Sequence, residues 1–427
     1  MNLDAALEND IRADPVDYSL RREWWESKRT WFADRGYVLN KTIYGDSGRV
    51  WAEEPMSTSP VMEVRYPDSY VGGCKACQPA CTLPHTQLHP RIAMAQDRES
   101  RHVVIKVILS ESEEFKVLKL LQQETDLSEQ FRGIIPVLDM LPSDAFCFVV
   151  LPRWGGKVYF SWFETAKDVL HYIRCLLQGL AFLHDRRIFH RDVTAGNILA
   201  NHFSCFQDCE SFDRKDMRAD LRKADLLNYA LNDFDLSMLL PSDACLKTFR
   251  LPIVEIYPGV WDKPHEAIRG EIDFNPFAYD VGCLGIEFAH TFQHLCPSIP
   301  FLAPLIDGMV NSHVPARFTA QEALNFLDEA QSEMTGDQLA ESPDVTPQFV
   351  LPFDEFDRWS DLPSSLIEKW GRYRECRPSR FATHIIHPLC MRPWGTSLVY
   401  YTRLTFRRAF LVCSLPLRLS YYILSFF

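Results

Sequence analysis

Apolar residues in the first half of the chain follow the spacing of strands around a single helix. Two short hydrophobic runs, residues 101–109 and 146–151, predict buried strands. Between them, residues 111–123 carry apolar side chains at helical intervals, which predicts one helix. This part of the chain is therefore expected to form a small, β-rich lobe that contains one helix.

Helical spacing dominates the later part of the chain. Apolar positions recur every three or four residues from Ala166 to His184, which predicts a long buried helix. Further helices are predicted at residues 276–292 and 319–329. Because a sheet-forming segment precedes the helices, we expect an α+β, bilobal fold, with a small β-rich lobe and a larger, mainly helical lobe.

Less regular sequence flanks these two segments. The aromatic-rich stretch around Trp24, Trp25 and Trp31 predicts a helix packed on the main domain in preference to a docking site for a partner. The expected domain organisation is an N-terminal extension at 1–82, a first lobe at 83–151, a second lobe at 152–332 and a C-terminal extension at 333–427.

The C-terminal extension contains two unlike segments. Residues 336–352 are rich in turn-forming residues and predict a linker. Residues 409–427 are strongly apolar but include Pro416 and Arg418, which places them at the edge of what can span a bilayer. A tail that packs on the domain, or a mistranslated gene end, is favoured over a membrane anchor.

Composition is that of an ordinary globular protein, with 24% charged and 47% hydrophobic residues. The net charge of −12 argues against nucleic-acid binding and suits a basic peptide substrate. The first residues lack the apolar run of a secretory signal, so the thirteen cysteines are expected as reduced thiols in the cytoplasm or the nucleus. The oligomeric state is left open.

The loop that follows the long helix contains the side chains for phosphoryl transfer. This reaction needs an oriented hydroxyl nucleophile and metal ions on the phosphates. In the segment His190-Arg191-Asp192, Asp192 is placed to accept the hydrogen bond of a substrate hydroxyl and to act as the catalytic base. Asn197, in the same tight loop, is placed to bind Mg²⁺.

These motifs resemble the eukaryotic protein kinase family, over roughly residues 90–330. The resemblance implies ATP and Mg²⁺ as cofactors and transfer of the γ-phosphate to Ser or Thr of a protein substrate. It also implies that Asp233, in Asp233-Phe234-Asp235, binds Mg²⁺, although Asp235 stands where the family usually has glycine.

The same resemblance suggests a nucleotide site. Lys106 looks like the lysine that holds the α and β phosphates, and Glu114 on the next helix is its expected partner, with Glu113 as the fallback. Residues 148–156 resemble the hinge that binds adenine, through the backbone carbonyl of Leu151 and the backbone N–H of Arg153.

Two later features of the resemblance are structural. Asp280 corresponds to the aspartate that braces the catalytic loop backbone. Arg317 corresponds to a late arginine that pairs with a glutamate at the end of the activation segment, and Glu266 is the best candidate for that glutamate.

Three departures qualify the resemblance. The glycine-rich loop that covers the phosphates should precede Lys106 by some fifteen residues, but 83–95 contain no glycine. Thr194 stands where a lysine near the γ-phosphate is usual, and residues 201–222 form a charged insert. The insert, Asp233-Phe234-Asp235 and the stretch from Phe274 to Asp280 together resemble a divergent kinase group of mushroom-forming fungi.

Some side chains carry weaker hypotheses. Thr248 is preferred over Ser237, Ser242 and Tyr257 as a phosphorylation site that Arg191 would bind, but an unmodified, solvated hydroxyl is favoured over phosphorylation. Scattered thiols are favoured over a Zn²⁺ site at three cysteines and two histidines, namely Cys74, Cys77, Cys81, His85 and His89.

An active Ser/Thr protein kinase is the leading hypothesis for the whole set of motifs. A pseudokinase scaffold, which would bind nucleotide or partners without turnover, follows because the glycines and the lysine at position 194 are missing. A small-molecule kinase of the aminoglycoside or choline type is disfavoured, because Arg191, Asp280 and Arg317 suit a protein substrate.

Overall fold

The computed structural model describes residues 18–44, 50–53, 70–72, 83–85, 91–99, 101–127, 131–156, 163–204, 215–257, 259, 263–343, 352–375 and 385–424. The chain divides into two compact units, residues 1–242 with 327–349 and residues 243–326 with 350–427.

The strands of the first unit are β1 (Val38–Leu39), β2 (Lys41–Tyr44), β3 (Val50–Glu53), β4 (Tyr70–Gly72), β5 (Leu83–His85), β6 (Ile92–Gln96), β7 (His102–Leu109), β8 (Asp139–Pro142), β9 (Phe146–Pro152), β10 (Ile188–Phe189), β11 (Ile198–Ala200), β12 (His202–Ser204), β13 (Tyr229–Leu231) and β14 (Met238–Leu239). The second unit contains β15 (Leu251–Pro252) and β16 (Asp273–Phe274).

The helices are α1 (Tyr18–Ser27), α2 (Arg29–Asp34), α3 (Glu113–Leu127), α4 (Ala166–Asp185), α5 (Lys215–Lys223), α6 (Pro276–Phe292), α7 (Leu302–Val310), α8 (Ala320–Ser332), α9 (Gly336–Ala340), α10 (Ser364–Trp370), α11 (His387–Cys390) and α12 (Pro393–Leu424). None of the described helices is long and apolar enough to cross a membrane.

A five-stranded antiparallel sheet, in the order β1-β6-β7-β9-β8, forms the first part of the fold. Strand β9 is buried at every position and lies between β7 and β8. A strand covered on both faces is expected to be apolar throughout, as 146–152 are. The register pairs Lys106 with Val149 and with Ile92, so the predicted phosphate-binding lysine lies in the centre of the sheet.

Aromatic side chains from α1 and α2 pack against this sheet. The Trp24 and Phe32 side chains are completely buried. The Trp24 ring stacks on Phe148 with centroids 5.6 Å apart, and the Phe32 ring meets Phe148 edge-on at 4.8 Å. The predicted packing of the tryptophan-rich helix on the main domain is confirmed, because these rings form the sheet's own core.

The edge of the sheet shows which part of the chain stands in the place of the expected glycine-rich loop. Strands β1 and β6 are antiparallel neighbours, which a short hairpin usually joins, but here the connection is residues 40–91. The segment 83–95, where the glycine-rich loop was expected, therefore covers only the end of this connection and most of β6. That connection includes Gly45, Gly48, Gly72 and Gly73.

Helix α4 precedes the predicted catalytic loop and packs against β10 and β13. Thr165 and Asp168 form a reciprocal capping box that fixes the start of this helix. The short helix α9 packs on α4, and the N–H of Ala166 donates to the carbonyl of Glu341. The predicted linker at 336–352 thus begins with a helix, because Thr335 and Gln338 form a second capping box.

Helices α6 and α7 form the core of the second unit. Asn275 caps α6 and Pro276 occupies its first turn, which explains why the predicted bounds 276–292 match the observed helix. The Asp307 carboxylate on α7 accepts hydrogen bonds from Arg358 and Trp359. These buried contacts attach part of the C-terminal extension to the unit.

Candidate active site

His190 connects the catalytic loop to the segment that follows β13. Its buried ring accepts a hydrogen bond from the Asp192 N–H at Nδ1 and donates from Nε2 to the Asn232 carbonyl at 3.1 Å. The Ser237 hydroxyl in turn donates to the His190 carbonyl. Since these bonds join residues 190–192 to residues 232–237, the two segments are held as one rigid element.

Asn197 orients the predicted catalytic base. Its side-chain N–H group donates to the Asp192 carboxylate at 2.8 Å and to the Asp192 carbonyl at 2.9 Å. A 3₁₀ turn at Ala195–Asn197 allows this approach. Because the amide nitrogen is used in these bonds, the amide oxygen is the atom with which Asn197 would bind a hard cation.

The predicted metal-binding residue Asp233 has an unusual backbone conformation. Its φ of +63° lies in the left-handed region, which Asp tolerates better than most residues. The next residue, Phe234, is buried, and its ring lies 5.4 Å from that of His190. Burial of Phe234 therefore fixes the backbone position from which the Asp233 side chain extends.

Lys106 forms two ion pairs, one with the predicted partner and one with the predicted metal ligand. Its Nζ lies 2.6 Å from Oε1 of Glu114 and 2.8 Å from Oδ1 of Asp233. The first pair is the predicted one, with Glu114 and not Glu113 as the partner. Helix α3 begins at Glu113, so Glu114 is presented in its first turn, close to β7.

These ion pairs determine the protonation of the site. Burial by itself would lower the pKa of Lys106, but the Glu114 and Asp233 carboxylates outweigh it and the pKa is raised. Burial by itself would raise the pKa of Asp233, but the Lys106 ammonium lowers it. At Glu114, burial prevails and the pKa is raised. Lys106 and Asp233 therefore carry opposite charges at neutral pH.

A fifth charged residue, Arg91, was missed by sequence reasoning. Its guanidinium donates two hydrogen bonds to the Asp235 carboxylate, at 3.0 and 2.6 Å, and lies 3.6 Å from Glu114. Burial alone would raise the pKa of Asp235, but Arg91 lowers it. The only sequence signal was the acidic residue at the usual glycine position, which requires a cation nearby if it is partly buried.

A cavity adjoins these ion pairs and includes the predicted adenine-binding strand. It is lined by Arg91, Ile92, Val104, Lys106, Glu114, Leu118, Leu151, Asn232, Asp233 and Phe234. Leu151 and Val104 are directly paired across β9 and β7, so an apolar wall faces the charged one. Such a combination suits a ligand with a flat apolar ring and a charged end.

The backbone N–H of Arg153, which is predicted to bind adenine, is engaged in the sheet. That N–H donates to the carbonyl of His102 at 3.1 Å. Strand β9 continues to Pro152, one residue further than predicted, and the ladder to β7 therefore takes up the Arg153 N–H. Leu151 remains on the cavity wall.

The structural features predicted further along the chain lie in the second unit. Arg317 and Glu266 form the predicted pair, with two hydrogen bonds of 2.6 and 2.9 Å between buried side chains. Asp280 is completely buried on α6. Its predicted bracing of the catalytic loop stays a prediction.

The predicted modification sites have different surroundings. Thr248 is exposed, in a turn in which its N–H donates to the Cys245 carbonyl. Ser237 is buried, with its hydroxyl bonded to His190, so it is not available as a phosphorylation site without local opening.

The candidate zinc cysteines Cys74, Cys77 and Cys81 lie outside the described residues, as does His89, while only the backbone of His85 is described. Among the described residues, no cluster of three or more potential metal ligands of the His, Cys, Asp or Glu type occurs.

A family comparison agrees with this geometry. Residues 92–250 match the family model described as the protein kinase domain. This segment is similar to protein kinase domains. The match begins with β6, and it includes Lys106, Glu114, Asp192, Asn197 and Asp233. The fold is that of a protein kinase domain, with a β-sheet lobe and a helical lobe, as predicted.

Curated relatives are similar over short segments. A serine/threonine-protein kinase US3 homolog of Cercopithecine herpesvirus 9 is 34% identical over 73 residues, which are 16% of this chain and 21% of the relative. Mitogen-activated protein kinase kinase kinase 6 of Homo sapiens is 28% identical over 117 residues, 27% of this chain and 7% of the relative. The US3 homolog of Equine herpesvirus 1 (strain Ab4p) is 32% identical over 97 residues, 20% of this chain and 25% of the relative. The chain thus spans a quarter or less of these relatives.

Proposed function

We propose that the chain is an ATP- and Mg²⁺-dependent protein kinase that transfers the γ-phosphate to Ser or Thr of a protein substrate. The observation that carries this proposal is the Lys106 ammonium, held between Glu114 and Asp233 at the wall of the cavity. The serine/threonine kinases among the relatives support the choice of substrate residue. The formal charge of −12 supports a basic peptide substrate.

The residues present fit a magnesium site. Asp233 offers a carboxylate that is 41% exposed, and Asn197 offers an amide oxygen, both hard ligands of the kind Mg²⁺ prefers. When bound, Mg²⁺ neutralises charge on the phosphate oxygens during transfer.

The protein's own side chains supply the rest of the chemistry. Lys106 places a fixed positive charge beside the phosphates. Asp192, held by Asn197, accepts the hydrogen bond of the substrate hydroxyl and so aims its oxygen at the phosphorus. The proton of that hydroxyl passes to Asp192 as the new O–P bond forms and the bond from the γ-phosphorus to the β,γ-bridging oxygen breaks, which leaves ADP.

A pseudokinase scaffold is the second candidate. It is favoured by the connection 40–91, which takes the place of a short glycine hairpin, and by Thr194, which adds no positive charge. Membership of the fungal kinase group and a cytoplasmic or nuclear location are further proposals that rest on the sequence motifs and the reduced-thiol composition.

The deciding experiment compares the full chain with Asp192→Asn, using Mg²⁺, labelled ATP and a generic basic protein. We expect the variant to lose about 100- to 10 000-fold in transfer rate, because the base is removed while the ligands of the metal remain. The matched control is Asp243→Asn, at an exposed aspartate, which should retain full activity.

Two results would change the assignment. A wild-type rate no higher than that of Asp192→Asn contradicts the kinase proposal. Binding of Mg²⁺-nucleotide by the wild type without any transfer favours the scaffold.

A further inference from the structure

The charged side chains beside the cavity form one continuous chain of ion pairs. It runs from Asp233 to Lys106 at 2.8 Å, to Glu114 at 2.6 Å, to Arg91 at 3.6 Å and to Asp235 at 2.6 Å. Its two ends, Asp233 and Asp235, are two positions apart in the sequence. The segment 233–235 is therefore attached at both ends to the sheet and to α3.

The backbone places Arg91 where it can close this chain. The Val107 N–H donates to the carbonyl of Arg91 at 2.9 Å, directly after Lys106 in β7. The Arg91 side chain is 15% exposed, so much of its length is covered. An arginine offers two parallel N–H donors to one carboxylate, which fixes the direction as well as the distance of its partner.

Asp235 is suited to be held in this way. The residue with a left-handed backbone in this segment is Asp233, while Asp235 is not among the described residues that have a positive φ. An ordinary side chain is thus accommodated at position 235, where the carboxylate serves as a handle for Arg91.

The chain of ion pairs has an excess of negative charge, and its most exposed carboxylate is that of Asp233. Two cations, Arg91 and Lys106, face three carboxylates, Glu114, Asp233 and Asp235, and the Asp233 side chain is 41% exposed. A group of this charge attracts a divalent cation at its most accessible carboxylate.

We propose that Arg91 is a positioning residue that binds Asp235 and thereby holds the segment 233–235 with the Asp233 carboxylate directed at Lys106, ready to accept a divalent cation. This inference rests on the proposed function for its consequence, since the carboxylate that is held is the one assigned to Mg²⁺. The contact between Arg91 and Asp235, which we call the clasp, joins the residue before β6 to the segment that carries Asp233.

The clasp is tested first in the full chain without nucleotide, by hydrogen–deuterium exchange of residues 232–238. We expect about fivefold faster exchange in Arg91→Gln and in Asp235→Asn, the range of a partly exposed ion pair, and no additional increase in the double variant. Arg91→Lys should lie between wild type and Arg91→Gln, because lysine keeps the charge but not the paired donors.

Two comparisons separate positioning from general destabilisation. Exchange in β9 should stay unchanged, and Arg250→Gln, which breaks the Arg250–Asp273 ion pair in the second unit, should leave residues 232–238 as in the wild type. Unchanged exchange of 232–238 in Arg91→Gln and Asp235→Asn overturns the clasp, and so does an equal increase in β9.

A second measurement follows the metal. The Mg²⁺ concentration that half-saturates nucleotide binding should be severalfold higher in Arg91→Gln than in the wild type. Equal Mg²⁺ dependence in both proteins overturns the positioning role. A wild type that binds no Mg²⁺-nucleotide contradicts the proposed function instead, and the exchange experiment still decides the clasp.

Discussion

Asn197 shows how much one side chain contributes at this site. Its N–H group donates to the carboxylate and to the carbonyl of Asp192, and its oxygen is the proposed metal ligand. A single residue therefore sets the direction of the base and the position of the metal, which are two requirements of the same transfer step.

Replacing Asn197 by alanine is expected to lower phosphoryl transfer at least tenfold and to weaken Mg²⁺ binding by about 10- to 100-fold, because both contacts are lost. Transfer rates measured over a range of Mg²⁺ concentrations check this. The control is Asn325→Ala, whose amide oxygen accepts an exposed hydrogen bond from Gln321. If Asn197→Ala keeps the wild-type Mg²⁺ dependence, its role as a ligand is contradicted.

The individual site residues could be found from the sequence to the extent that they stand in short motifs. Asp192, Asn197 and Asp233 are recognisable because a fixed spacing links each to its neighbours. Arg91 and Asp235 are 144 positions apart in the sequence, and no short motif links them. The bond from the Arg153 N–H to the sheet could not be predicted, because the length of a β-ladder depends on the partner strand, which a sequence does not show.

Among the elements, helices α1 and α2 are as much a part of the sheet lobe as its strands. Their aromatic rings pack against Phe148 on β9. Strand β9 is the neighbour of β7, which carries Lys106. The first helices of the predicted N-terminal extension thus support the proposed nucleotide site through packing.

Trp24→Ala is expected to destabilise the protein by about 3 to 5 kcal/mol, the usual cost of removing a buried large aromatic side chain. Urea denaturation measures the change. Trp394→Ala provides the control: this tryptophan is 58% exposed, and its loss should change the free energy of unfolding by less than about 0.5 kcal/mol. A cost below about 1 kcal/mol for Trp24→Ala would show that α1 is not part of the core.

Element boundaries were predictable where capping residues mark them. Asn275 and Pro276 mark the start of α6, and the predicted helix is correct to the residue. Strand β1 was missed because two residues are too few to show a period. Its pairing with β6 depends on packing from α1 and α2, a tertiary effect.

At the scale of the whole molecule, the C-terminal extension is attached to the second unit by a buried carboxylate cluster. The Glu375 carboxylate accepts from the Ser312 N–H and lies 3.8 Å from Arg358, and the Glu375 N–H donates to Asp307. Burial and the nearby Asp307 charge raise the pKa of Glu375 to about 7, against the lowering effect of Arg358.

The raised pKa makes stability depend on pH. Because the folded pKa exceeds the unfolded one, the folded protein binds the proton more tightly, and this stabilisation is lost as the pH rises from about 4.5 through 7. Glu375→Gln keeps the neutral form, so it should be about 2 to 3 kcal/mol more stable than the wild type at pH 8 and nearly equal at pH 4.

Thermal or urea denaturation at both pH values checks this prediction. Glu368→Gln, at an exposed glutamate in α10, should follow the wild-type pH profile and serves as the control. A stability difference for Glu375→Gln that is the same at pH 4 and pH 8 would contradict the titration of Glu375.

The long connection between β1 and β6 has an entropic consequence. Closing a loop of about fifty residues costs ~2 kcal/mol more than closing a four-residue hairpin, and β1 has only two residues with which to offset that cost. The offset must come from Trp24 and Phe32, which dock just before β1. Undocking of α1 and α2 should therefore also release β1 from the edge of the sheet.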